Sequence, residues 1–208
     1  MSVLLKNATL PSGKKSDILI KGSRIAKIAP SITARAEEKI DASGKIALPG
    51  LINTHTHAGM SLFRGVGEDA ELHDWLAAVR ALEVKVKQAH MRAGAELAIA
   101  EMIKSGTTCF NDMYFYMDEV AKAVEKSGMR AVLGYSMVDM GKDGFDEKKR
   151  KSELKICEQF IRGWHGQAEG RITASVPPHS LYLCSRQLLK ASRAMADKYE
   201  VPLHIHLS

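Results

Sequence analysis

Apolar and polar positions change their period near residue 50. Before it, short β-prone pieces (Val3 to Leu5, Asp17 to Ile20, Arg24 to Ala29, Lys45 to Leu48) are parted by Gly, Ser and Pro turns, the punctuation of small antiparallel strands. After Pro49, short apolar runs alternate with longer amphipathic stretches. Leu51 to His55, Thr107 to Asn111, Ala131 to Met137, Ile172 to Val176 and Leu203 to Leu207 predict strands. Leu72 to Lys104, Asp118 to Ser127, Glu147 to Trp164 and Ser185 to Tyr199 predict helices. Ala93, Leu97, Ala100 and Ile103 recur at helical spacing, and Gly106 stands just past them, where a left-handed cap is wanted. Ser127-Gly128 and Glu169-Gly170 predict two further stops. Near-continuous apolar strands joined by helices mean a parallel sheet, doubly wound or closed into a barrel.

A chain of 208 residues, 45% hydrophobic, can bury a sizeable core as one large domain or as a small one plus a medium one. That excludes a disordered chain and a disulfide-stapled miniprotein. Cys109, Cys157 and Cys184 form no CxxC pair and leave one over in any pairing, which predicts free thiols in a reducing compartment, the cytoplasm. The start, MSVLLKNATLPSGKKSD, has no long apolar core and no small-residue cleavage site, and no run approaches ~18 apolar residues. Neither export nor membrane insertion is expected.

The formal charge of +6 raises the question of a polyanionic partner. Its densest run, Lys148-Lys149-Arg150-Lys151, follows Asp146 and Glu147 at a helix start and has no interleaved aromatic residues. It is read as a solvated helix face, with no nucleic acid bound.

The chemistry lies in the histidines. His55 and His57, in PGLINTHTHAGM, are two apart and face one side of an extended strand, so they can converge on one ion. An HxH pair alone is a weak signal. His179 closes the fourth predicted strand, however, and His204 and His206 lie on the fifth. Three of five parallel strands thus bring imidazole to or near their carboxyl ends, where α/β sheets and barrels gather their sites. Neutral imidazoles with a carboxylate suit zinc, and also iron or manganese. His73, His90 and His165 fall among charged residues on helices or helix edges and are read as solvated.

The segments DASGKIALPGLINTHTH, LFRGVGEDAELHDWL, EMIKSGTTCFNDMYF, PPHSLYLCS and HIHLS resemble the amidohydrolase superfamily. Within it they look like the branch of 5-methylthioadenosine/S-adenosylhomocysteine deaminases and 5′-deoxyadenosine deaminases. The resemblance implies a (β/α)₈ barrel, with residues 50–208 supplying its first five strands, preceded in 1–49 by part of a small β-sandwich domain. It implies hydrolytic deamination of an adenine nucleoside with one divalent ion, most simply Zn²⁺, with Fe²⁺ or Mn²⁺ as alternatives. His55, His57 and His206 would be metal ligands, and His179 would contact substrate beside the metal and act in catalysis. Glu83 would hold the sugar hydroxyls, and His204, one pleat deeper than His206, would belong to the barrel interior. Arg150 could pair with a homocysteine carboxylate or simply face solvent.

Two departures matter. Asn53 stands where many amidohydrolases carry an aspartate before the HxH, and the strand from Arg171 to His179 has no lysine to bridge two ions, so one metal is expected. The family's proton-carrying glutamate would follow HLS almost at once, and its final histidine and aspartate belong to later strands. The resemblance therefore makes these 208 residues the N-terminal half of an enzyme, inactive alone and homo-oligomeric when complete. The alternatives are a guanine or cytosine deaminase, a triazine chlorohydrolase, an inactive half-barrel, or a metal-free α/β binding module.

Overall fold

A computed structural model describes residues 1–207 and divides the chain into two compact units, Met1–Gly50 and Leu51–Ser208. The first unit is a four-stranded sheet of β1 (Ser2–Thr9), β2 (Lys15–Lys21), β3 (Arg24–Ala29) and β4 (Glu38–Asp41), in the order β3-β2-β1-β4. The first three strands are antiparallel as expected, but β4 runs parallel to β1. Strand β4 takes the place expected for Lys45 to Leu48, a segment that meets β1 only at its last residue: Thr9 bridges Ile46, donating to the Lys45 carbonyl and accepting from the Ala47 amide, both at 2.9 Å. Charged Glu38, Lys39 and Asp41 hide this strand from a hydropathy reading, because an exposed edge strand has no need of apolar alternation. Leu4, Leu19 and Ile32 form the small core. Beside it the buried Asp17 carboxylate accepts the Lys6 ammonium and the amides of Asn7 (3.0 Å) and Ile32 (2.8 Å), tying two strands and a loop together.

In the second unit β5 (Leu51–Thr56) leads into a 3₁₀ turn, Ala58–Phe63, then α1 (Leu72–Glu83), α2 (Gln88–Lys104), β6 (Thr107–Tyr114), α3 (Met117–Ser127) and β7 (Arg130–Tyr135). A short hairpin, β8 (Met140–Gly141) with β9 (Gly144–Phe145), precedes α4 (Glu147–Trp164), the single turn α5 (Gln167–Gly170), β10 (Ile172–Ala174) and α6 (Arg186–Tyr199). The sheet order β10-β7-β6-β5 is the order of synthesis, and every pairing is parallel. Beyond β10 the chain continues the sheet through bridges rather than as a full strand: Val176 meets Leu203, and Ser180 meets His206. The expected strand from Leu203 to Leu207 is reduced to these contacts.

The helix expected from Leu72 to Lys104 is two helices, separated at Val84–Lys87. No Gly or Pro marks that break. Helix α4 ends at Trp164 as expected, but the stop is made at His165 and left-handed Gly166, and Glu169-Gly170, expected to supply it, instead closes the separate turn α5. Ala168 and Glu169 are themselves left-handed. Buried Phe110, Leu133 and Ile172 on the strands, with Val176 just past β10, pack in one core with Val120, Val124 and Leu188 on the helices, each side chain of this kind contributing about 1.5–3 kcal/mol of transfer free energy. All three cysteines are unpaired. No helix of the described residues is long and apolar enough to cross a membrane.

The basic run on α4 is only half solvated. Lys148 and Lys151 are exposed, whereas Lys149 donates to the Met140 carbonyl (2.8 Å) and Arg150 to the fully buried Asp139 (3.4 Å). Asp139 also accepts from the Ser185 amide (2.7 Å) and hydroxyl, and Ser185 caps α6. Arg150 therefore anchors the start of two helices and is not free to face solvent.

Candidate metal centre

His55 and His57 stand at the end of β5, where the pairing with β6 is irregular between Asn53 and Thr56. Local side chains take up the backbone groups freed there. The His55 amide donates to Asn53 Oδ1 (3.3 Å), and Asn111 Nδ2 donates to the Thr54 carbonyl (3.1 Å). Directly after His57, the 3₁₀ turn lies against α2 so closely that a Cβ on Gly94 would sit 2.3 Å from the Gly59 carbonyl oxygen. That contact requires glycine and sets where the HxH segment turns away from the sheet.

His55, His57 and His206 converge, with one ligand atom from each ring lying within 4.8 Å of the others. His57 Nδ1 is 2.7 Å from the Met113 carbonyl oxygen and His206 Nδ1 is 2.8 Å from that of His179. A carbonyl oxygen only accepts, so both Nδ1 atoms carry protons and both Nε2 atoms present lone pairs. Those lone pairs face each other at 3.2 Å. Burial lowers the His57 pKa to about 4, so its ring is neutral near neutral pH. Lone pairs so opposed repel, and a cation between them converts the repulsion into ligation. The donor set, three imidazoles of which two have Nδ1–H held by backbone carbonyls, fits a zinc-type ion.

Around this cluster, burial followed by the neighbouring rings lowers the pKa values of His179 and His204, each to about 4, and that of His55. His179 stands beside His206, with ring centroids 4.6 Å apart, and contacts Ser180 Oγ at 3.1 Å. His204 Nε2 is 2.8 Å from His55 Nδ1. Glu83, at the end of α1, accepts the Tyr114 hydroxyl, and the Tyr114 ring lies 5.5 Å from that of His57. Burial and the Glu83 carboxylate push the Tyr114 hydroxyl's pKa well up, so it remains a donor. A pocket of about 430 Å³ opens beside His57, walled by Met60, Phe63, Arg64, Val66 and Trp75.

The residues predicted for the site thus form one neighbourhood: His55, His57, His179 and His206 as a cluster, and Glu83 joined to it through Tyr114. Tyr114 and Asp112 were not singled out from the sequence. Asp112 is fully buried, its Oδ2 accepts the Ala58 amide (3.2 Å), its Oδ1 has no partner among the described residues, and burial raises its pKa to about 7. Both residues lie beyond Asn111, where the strand was expected to end, whereas β6 runs on to Tyr114.

Residues 46–208 match the amidohydrolase family. The chain belongs to that family. It is 47% identical over 211 aligned positions to the 5′-deoxyadenosine deaminase of Methanosphaera stadtmanae, covering 100% of this chain and 49% of that protein. It is 46% identical to the enzyme of the same name from Methanocaldococcus jannaschii, covering 99% and 49%. The amidohydrolase chain thus spans about half the length of the curated relatives it matches. Among solved structures, atrazine chlorohydrolase from Arthrobacter aurescens TC1 complexed with zinc superposes with a TM-score of 0.89 at 25% identity, over 99% of this chain and 53% of that one. The chain shares its fold with that solved structure over the aligned residues.

Proposed function

We propose that this amidohydrolase deaminates adenine nucleosides hydrolytically. The substrates are 5′-deoxyadenosine, 5′-methylthioadenosine, S-adenosylhomocysteine or adenosine, and the products are the inosine analogue and ammonia. The observation that carries the reading is the continuous line from the histidine cluster through Tyr114 to Glu83. It pairs a site for an activating ion with a carboxylate one ring away, suited to a sugar diol. The 41–47% identity to proteins named 5′-deoxyadenosine deaminase supports it.

His55, His57 and His206 would hold one zinc ion, which when bound supplies a Lewis acid and an activated water near neutral pH. The chain's own residues do the rest of what lies here. Glu83 accepts from the sugar hydroxyls while Tyr114 fixes its carboxylate. The aromatic and apolar walls beside His57 offer a face for the purine, in a pocket within the ~300–1,000 Å³ usual for small molecules. His179, neutral and half-buried, is a fixed partner for charge developing on the reacting ring. Sequential parallel strands favour closure as a (β/α)₈ barrel, since a doubly wound sheet reverses its order. In this reading the remaining proton-transfer groups and the rest of the small β-sandwich come from residues outside these 208, the chain alone is inactive, and the enzyme works in the cytoplasm as a homo-oligomer.

The test is ammonia release by the complete protein. Turnover of 5′-modified adenosines is expected, with Glu83→Gln raising KM more than it lowers kcat and with little effect on 2′-deoxy analogues. Preference for guanine, cytosine or a chlorotriazine, or equal losses on ribo- and 2′-deoxy substrates, would reject it.

A further inference from the structure

Each ring of the histidine cluster has its Nδ1 engaged, but not in the same way. His57 and His206 lean on backbone carbonyls, which can only accept. His55 has no carbonyl there, and its Nδ1 meets His204 Nε2 at 2.8 Å, with the two rings edge to face at 84°. One proton lies between those nitrogens, and either ring can own it. If His55 owns it, His55 Nε2 is a free lone pair and can ligate an ion. If His204 owns it, His55 Nδ1 is the acceptor and its Nε2 carries the hydrogen, which blocks ligation through that atom.

His204 is well placed to decide this. Its backbone amide donates to the Val176 carbonyl (3.1 Å), and neighbouring Leu203 bridges Val176, so the ring comes from a fixed point of the sheet. His204 Nδ1 is buried and makes no hydrogen bond among the described residues. An ion on His55 Nε2 leaves the His55 proton on Nδ1, and His204 then meets it with Nε2 as acceptor and its own proton on Nδ1. We infer that His204 is a positioning residue for His55: by accepting from Nδ1–H it selects Nε2 of His55 as the ligand atom and fixes the ring toward the ion. The inference rests on the proposed role of His55 as a ligand.

The experiment measures Zn²⁺ affinity of the purified protein by competition with a chromophoric chelator, for the unsubstituted chain, His204→Phe and His204→Gln. The amide oxygen of Gln can stand near the position of Nε2 and accept, whereas Phe fills the space without accepting. Loss of such a partner costs ~10–100-fold in metal affinity, so His204→Phe should bind zinc that much more weakly, with His204→Gln within a few-fold of the unsubstituted chain. Unchanged affinity in His204→Phe, or equal weakening in both variants, overturns the inference while leaving the three-histidine site standing. Failure of the unsubstituted protein to bind zinc overturns both. If His204→Phe does not fold, long-range ¹H–¹⁵N correlations of the zinc-loaded unsubstituted protein decide. Protons on Nδ1 of both His55 and His204 support the inference, and a proton on Nε2 of His204 overturns it.

Discussion

At Asp17 a buried carboxylate accepts the Lys6 ammonium and two backbone amides, and these bonds lower its pKa from 3.8 to about 2, Lys6 contributing most. A pKa depressed in the folded state stabilises above the unfolded value and ceases to do so as pH falls through the folded one. The first unit should therefore hold its stability down to about pH 4 and lose this contribution between there and about 2. Amide exchange at Ile18 and Leu19 across that range should show the loss, and Asp17→Asn should flatten it. At Tyr114 the hydroxyl bound to Glu83 predicts a different effect. Tyr114→Phe should leave the fold intact but raise KM for ribonucleosides about 3- to 10-fold, a loss of ~1 kcal/mol, with kcat less affected in steady-state assays of the complete protein. Neither residue announces its role in the sequence. Asp17 opens a β-prone piece whose following Ile18-Leu19-Ile20 suggests only a strand, and Tyr114 lies three residues beyond the predicted end of its strand.

Between α2 and the 3₁₀ turn, the approach of Gly94 to Gly59 leaves no room for any side chain. Gly94→Val should destabilise the second unit by about 1–3 kcal/mol through overpacking. Because the turn begins next to His57, it should also weaken zinc binding, so thermal melts and metal affinity should fall together. Elements with a one-sided apolar face were legible in advance. Helix α4 spans Glu147–Trp164 as its periodicity predicts, with Asp146 capping it through the Lys149 amide. What escaped has physical causes. The break at Val84–Lys87 contains no Gly or Pro, so propensity carries no mark of it. Strand β4 is exposed and charged. The two HxH pairs are visible because a strand's period of two puts such histidines on one face. The bond from His55 to His204 is not, because it depends on how two strands 149 residues apart are spaced.

At the scale of the second unit, β5 ends the sheet, and Leu51 and Ile52 on it are 62% and 65% exposed. An unpaired edge bearing exposed aliphatic side chains favours pairing with another strand. The 208-residue chain should self-associate with rising concentration in sedimentation experiments, and Ile52→Lys should reduce that association without changing its circular dichroism. Strand order has a further consequence, in the timing of assembly. Each of β6, β7 and β10 pairs with the preceding strand of this sheet, so every new strand of it leaving the ribosome finds its partner already made, and the closure entropy for each docking step grows only slowly with the length of the connection. The imidazoles do not share this economy. His57 emerges early and His206 some 150 residues later, so on the proposed three-histidine site a nascent chain makes β5, β6, β7 and β10 before it can grip an ion, and metal capture follows the pairing of these strands rather than starting it.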